Sequence, residues 1–516
     1  MNRRSLPIKP WLVLLIAACA APSMAESSTD SSTALTIYST ARPGAVPADL
    51  YRPLPGGSGF NMSQYNRIPG YAVVKDEREL ELVRGRGELR FVDVAALIDP
   101  TTVRFKSLTD PDGTQVLEQN YQFDLVSQQK LVERYVDREI TVEQTRGERV
   151  EQFTGRLLSA AGGLILEGRD GEIRALSGWS GIRFPELPGG LITRPTLVWD
   201  VVAERAGAHR ARVSYQTQGI TWWADYNLVF EPGKDANSGR LDVGAWVSIL
   251  NRSGAGYHEA KLKLIAGDVQ RAQEQGVVYA DRMRKMAVSM AEATGFEEKA
   301  FFEYHLYTLG RPTTLPDSST KQIELFEAAR GVPAEKVLVY YGLPGTWGVF
   351  PNPVTDRNFG TESNKKIDVY LRFRNEESAG LGVPLPAGRI RVNQIDPADG
   401  SLEFIGEDVI DHTPKNEEVL IRLGSAFDVV GERKQADFRV DTSRNWMEEV
   451  IEIELRNHKE EPVDVIVKEN LFRWVNWEIV ESSHDWDKLD ARTIHFPIEV
   501  PAGGEVKLSY RVRYTW

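Results

Sequence analysis

The chain has 516 residues, of which 41% are hydrophobic and 26% charged, and a formal net charge of −12. Its length allows about two to four domains with a sizeable core, and its acidity argues against a nucleic-acid or anionic-lipid partner, which would call for a basic face. Cys19 is the only cysteine, which excludes internal disulfides and thiolate metal sites.

Arg3, Arg4 and Lys9 precede an apolar run from Trp11 to Ala21, and Ser23-Met24-Ala25 offers a small-x-small cleavage site. Residues 1–25 therefore read as a secretory signal peptide, which places the mature chain in the periplasm or outside the cell. Ile16-Ala17-Ala18-Cys19 also fits a lipobox, so a membrane-anchored lipoprotein acylated at Cys19 is the alternative. No later segment reaches the roughly 20 apolar residues of a transmembrane helix.

Beyond the leader, short alternating runs of Val, Ile, Tyr and Thr between Gly, Pro and Asp-Gly turns predict a mainly β protein. Residues 26–124 form an N-terminal β region. It opens with a strand at Leu35–Ser39 and a long loop rich in Gly, Pro and Asn from Arg42 to Gly70, and Asp112-Gly113 is a hairpin-turn signal further on. In residues 125–186 an amphipathic helix, Ser127–Val136, precedes five short strands. That layout predicts an inserted small SH3-like or Sm-like barrel; the other reading has these strands extending the flanking sheets.

Residues 187–355 and 356–516 are expected to form two β-sandwiches, the second immunoglobulin-like. Central to the first is Val213–Phe230, VSYQTQGITWWADYNLVF, in which two alternating runs flank Gly219 as a hairpin or strand corner. A strand ending in Asn, then a turn, then another strand recurs at Asn251, Asn375 and Asn457, a weak internal repeat that fits immunoglobulin-like sheets. Between them, in a helical insertion at 277–296, Tyr279, Met283, Met286, Met290 and Ala293 share one stripe, read as a surface helix or as a methionine face for a partner.

The phrases ALTIYSTARPG, ALIDPTTVRFKSL, VSYQTQGITWWADYNLVF with its continuation Gly239 to Asp268, VYLRFRNEESAGLGVPLPAG, FIGEDVIDHTPKNEE and VPAGGEVKLSYRVRYTW together resemble the bacterial domain of unknown function 4139 family. The resemblance covers most of the mature chain. It implies a shared fold and carries no activity and no catalytic residues.

The seven histidines show no H-E-x-x-H and no metal-ligand pairing. His484, Asp485, Asp487 and Asp490 form the nearest thing to an ion-binding loop, although a solvated hairpin tip accounts for the same charges. No G-x-S-x-G elbow is present, and no cofactor is implied. Gly406-Glu407-Asp408 to Asp411-His412-Thr413 is the densest polar phrase; a strand with outward polar residues explains it. The terminal alternation of Leu508, Tyr510, Val512, Tyr514 and Trp516 would also suit the last strand of an outer-membrane barrel.

The expectation is a non-catalytic envelope module that binds a protein or glycan. Its contact candidates are Trp222, Trp223, Trp477 and Trp486, with one of the first pair in the core. The competing readings are a hydrolase with dispersed carboxylates and an outer-membrane assembly or anchoring component. The oligomeric state is not encoded in any motif.

Overall fold

The computed structural model describes residues 31–38, 44, 46–51, 68–147, 149–235, 237–267, 296–301, 304–343, 350–396 and 398–516. The signal-peptide reading, Cys19, most of the loop read from Arg42 to Gly70 and the whole methionine stripe lie outside them. The protein is mainly β, built from several sheets of which none is closed.

An eight-stranded sheet runs in the order Phe296–Phe301, Tyr304–Leu309, Tyr257–Ala266, Ser32–Tyr38, Tyr71–Leu82, Gly207–Thr217 and Ile98–Ser107, with Thr313–Leu315 also pairing with Tyr257–Ala266. A three-stranded antiparallel sheet places Thr196–Ala203 between Gly85–Val92 and Thr114–Gln122. Trp199 is fully buried between the two sheets against Phe91 and Phe105, so alternate residues of both share one core.

This arrangement decides two turns. Gly219, at φ +77°, joins a strand of the eight-stranded sheet to Ile220–Pro232 of another sheet, so it is a strand corner and not a hairpin. A Cβ there would lie 2.6 Å from the Arg252 carbonyl oxygen. Asp112-Gly113 also links different sheets: Ile98–Ser107 pairs with Gly207–Thr217, and Thr114–Gln122 with Thr196–Ala203. The hairpin expected there does not form, because each flanking strand finds its partner elsewhere.

Residues 125–186 do not extend the flanking sheets. The helix Gln128–Arg134, N-capped by Ser127, packs Val132 and Tyr135 on a separate core with Ile140, Val142, Leu157, Leu164 and Leu166. The five strands form one antiparallel sheet in the order Gly181–Arg183, Glu139–Arg146, Arg149–Ser159, Leu164–Glu167, Ile173–Leu176. Its first and last strands do not pair with each other.

The largest sheet has thirteen strands. Its path is Leu402–Ile410, Gly388–Ile395, Ile220–Pro232, Ser238–Asn251, Ser319–Tyr341, Lys366–Arg374, Glu418–Asp441, Trp446–Asn457, Glu505–Thr515, Trp477–Ser482, with Val463–Asn470, Thr493–Val500 and Asp487–Lys488 branching from it. Gly388–Ile395 lies parallel to Ile220–Pro232, which ties the second half of the chain to the first. Two long strands pass through both main cores. Ser319–Tyr341 gives Ile323, Leu325 and Val332 to one core and Leu338 and Tyr340 to the other; Glu418–Asp441 gives Val419 and Ile421 to the first and Val429 and Phe438 to the second.

The three asparagines of the recurring strand–turn pattern are all buried. Asn375 donates from Nδ2 to the carbonyls of Val383 and Pro414 at 2.7 and 3.0 Å and accepts from Gly382 N–H at 3.0 Å. Asn251 and Asn457 likewise bridge their own turn to a later proline-containing turn. A carboxamide suits this place because it offers two donors and an acceptor without charge.

Candidate ligand cleft around Asp225

The period of two in Ile220–Pro232 sends Trp222, Ala224, Tyr226 and Leu228 into the core and turns Trp223 and Asp225 to the opposite face. Trp222 is 2% exposed and packs edge-on against Tyr307 at 6.4 Å, so it is a core residue and not the contact residue expected. Trp223 is only half-buried, and of the pair it is the one that faces outward.

Around Asp225 the neighbouring strands add polar groups. Trp223 Nε1 donates to Asp225 Oδ2 at 2.7 Å and Ser248 Oγ to the same oxygen at 2.9 Å. Gln322 Nε2 donates to Ser248 Oγ at 3.1 Å. Trp223, Ser248 and Gln322 lie in register across three strands, and Asp225 is in register with Arg389 across the parallel pair. Two residues on from Arg389, Arg391 reaches Asp225 Oδ1 at 3.5 Å and Glu407 at 3.6 Å.

A roof comes from the short helix Ala48–Tyr51. Leu50 is buried with Val46, Ile68 and Leu250, Arg252 donates to the Leu50 carbonyl at 2.6 Å, and the Tyr51 ring lies 5.3 Å from that of Trp223. Roof and sheet enclose a cleft of about 500 Å³, which Gly44, Val46 and Thr320 also line. That volume suits a small ligand, and the lining is more polar than apolar, with Asp225, Ser248, Thr320, Gln322, Arg389 and Arg391 facing Val46, Tyr51 and Trp223.

Asp225 is 9% exposed and is the one carboxylate among the described lining residues. Ser248 Oγ donates its proton to Asp225, and no histidine among the described lining residues is there to activate it. The nearest second carboxylate the structure gives is that of Glu407, bridged to Asp225 through Arg391 and not among the described lining residues.

The remaining candidates lie near one edge of the large sheet. Trp477 and Trp486 meet edge-to-face at 6.1 Å, both half-buried, with the Lys488 ammonium 4.8 Å from the Trp477 ring and Trp477 Nε1 donating to the Ala491 carbonyl at 2.8 Å. The acids beside them do not converge on an ion. Asp487 faces His495 at 3.1 Å, Asp490 accepts from the N–H groups of Arg492 and Thr493, and His484 Nδ1 bonds to Ser483. Among the described residues no group of three or more His, Cys, Asp or Glu could hold a metal ion. Hydrogen bonds from the Arg492 backbone hold the Asp490 carboxyl below its ordinary pKa, as its turn role requires.

The polar phrase at 406–413 forms a seam. Asp408 accepts from the N–H groups of Val409 and Arg422, and His412 Nδ1 from that of Ala387. A Cβ on Gly406 would sit 2.6 Å from the Leu423 carbonyl oxygen, so glycine lets the two strands close up.

Sequence reasoning found Trp223 but missed Asp225, Ser248, Thr320, Gln322, Arg389 and Arg391. One signal was present: an acid in the otherwise apolar and aromatic run TWWADY. No family model, curated protein or solved structure matches the chain.

Proposed function

We propose that this chain is an exported envelope protein that binds a glycan or protein partner without catalysis, with the cleft around Asp225 as its site. The observation that carries the reading is a roofed cavity of ligand size floored by four strands, in which a nearly buried carboxylate is held by Trp223 and Ser248. Export rests on the leader and its Ser23-Met24-Ala25 site, with acylation at Cys19 as the anchored variant. No helix among the described residues is long and apolar enough to cross a membrane. Kinship with the domain of unknown function 4139 family, immunoglobulin-like sandwiches and an SH3-like insertion belong to the same proposal, supported by the repeated asparagine turns and by the separate core of residues 125–186.

The test is retention by the immobilised chain of two probes from the host: glycan released from its envelope and detergent-extracted envelope protein. The expected result is retention of one probe, lost in Gln322→Trp, which fills the cleft from an exposed position, and kept in Trp477→Ala. Equal retention by Gln322→Trp and the unaltered chain would overturn the reading.

A further inference from the structure

We infer that the cleft takes an acidic sugar, with the ligand's carboxylate on Arg389 and its hydroxyls on the Asp225 side; the inference rests on the binding reading above. Arg389 is half-buried in the cleft, and among the described residues its guanidinium has neither hydrogen bond nor ion pair. A partly desolvated guanidinium without a partner favours an anion, and its planar fork fits a carboxylate. Arg391 is loosely engaged, at 3.5 Å from Asp225 and 3.6 Å from Glu407, so Arg389 has a second cation beside it two residues along the same face. With Arg391 shared between Asp225 and Glu407, Arg389 is the cation of the described lining that has no ion-pair partner.

The opposite side calls for hydroxyls. Asp225 Oδ2 is occupied by Trp223 and Ser248, whereas Oδ1 has only the long approach of Arg391, which leaves it an acceptor for a ligand O–H. Gln322 and Thr320 beside it both donate and accept. A second carboxylate next to Asp225 would be repelled, so the ligand's charge belongs at the Arg389 end and its neutral hydroxyls at the other. The Tyr51 and Trp223 rings supply apolar faces for sugar C–H groups. A hexuronate carries these features on one ring.

Titration calorimetry of the full chain with sodium glucuronate, glucose and sodium acetate tests this. Glucuronate is expected to bind at one site, with glucose and acetate each at least about tenfold weaker. Arg389→Gln is expected to weaken glucuronate by about 10- to 100-fold, to the level of glucose, with an unchanged melting temperature. Arg389→Lys, which keeps the charge, should lose less. Glucose binding as tightly as glucuronate, or an unaffected Arg389→Gln, would overturn the acid's role; acetate binding as tightly would overturn the sugar's. If none of the three binds while Gln322→Trp still abolishes retention of envelope material, the acidic-sugar inference falls and the cleft remains the binding site.

Discussion

Arg433 and Glu469 form an ion pair at 2.9 Å with side-chain exposures of 3% and 0%. Glu469 also accepts from the Tyr510 hydroxyl at 2.5 Å, and Arg433 Nη1 donates to the Gly360 carbonyl at 3.3 Å. Burial, the largest single influence, would lower the Arg433 pKa, but Glu469, Tyr510 and Glu449 together outweigh it and raise it. A second set repeats the design: Arg473 meets Glu449 at 2.8 Å, Tyr514 donates to Glu449, and Arg473 donates to the carbonyls of Val354, Asp356 and Phe359. The two arginines thus fix the connection that precedes Lys366–Arg374 to the second core.

Removing one member of such a pair leaves an uncompensated buried charge. Glu469→Gln is expected to cost about 3–5 kcal/mol in urea unfolding. Replacing both partners by apolar residues, Arg433→Met with Glu469→Leu, should recover much of that loss. Equal losses in the single and double variants would show that the pair is stabilising in its own right.

The asparagine turns offer a test of equivalence. Asn251 donates to the carbonyls of Ala255, Leu315 and Pro316, and Asn457 to those of Glu461, Val500 and Pro501, all within 2.8–3.3 Å. Alanine at either position strands buried carbonyls, and each is expected to cost about 1–3 kcal/mol by thermal or urea unfolding. A loss confined to one position would mean that the turns are alike in shape but not in weight.

At the seam, Gly406→Ala is expected to cost about 1–3 kcal/mol, because its Cβ meets strand backbone that cannot rotate away. Urea unfolding measures the loss; an unchanged midpoint would show that the two strands can part without cost.

Alkaline pH should unfold the protein. Burial raises the pKa of Tyr226, Tyr510 and Tyr514 well above 10.0, and Glu469 and Glu449 add to the effect at the last two. Below the unfolded-state value of about 10 both states keep the proton and the stabilisation is complete. Above it the unfolded chain loses protons that the native chain retains, so stability falls as pH rises through the folded pKa values. Unfolding midpoints between pH 8 and 11 should therefore be flat to about pH 10 and then drop; Tyr510→Phe, one titrating group fewer, should soften the drop.

The sequence makes the local elements legible. The helix of residues 125–186, the five strands after it and the three asparagine turns all stand where periodicity and turn residues put them, because these signals act over a few neighbouring residues. Sheet membership is another matter. Asp112-Gly113 has hairpin chemistry, yet the flanking strands part, since pairing is decided by which apolar faces can share the core around Trp199. The cleft was hidden for the same reason: Arg389 stands beside Asp225 only through a parallel pairing between residues far apart in the chain. At the last strand, the aromatic alternation that also suited a membrane barrel points Tyr510 and Tyr514 into a protein core, toward buried glutamates.

Hydrogen–deuterium exchange with and without the retained envelope probe tests the binding site most directly. The expected result is added protection in 46–51, 220–227, 246–250, 320–322 and 388–391, with none around Trp477 and Trp486. Protection at the Trp477–Trp486 corner with an unchanged cleft would contradict the assignment and move the binding surface to the far edge of the large sheet.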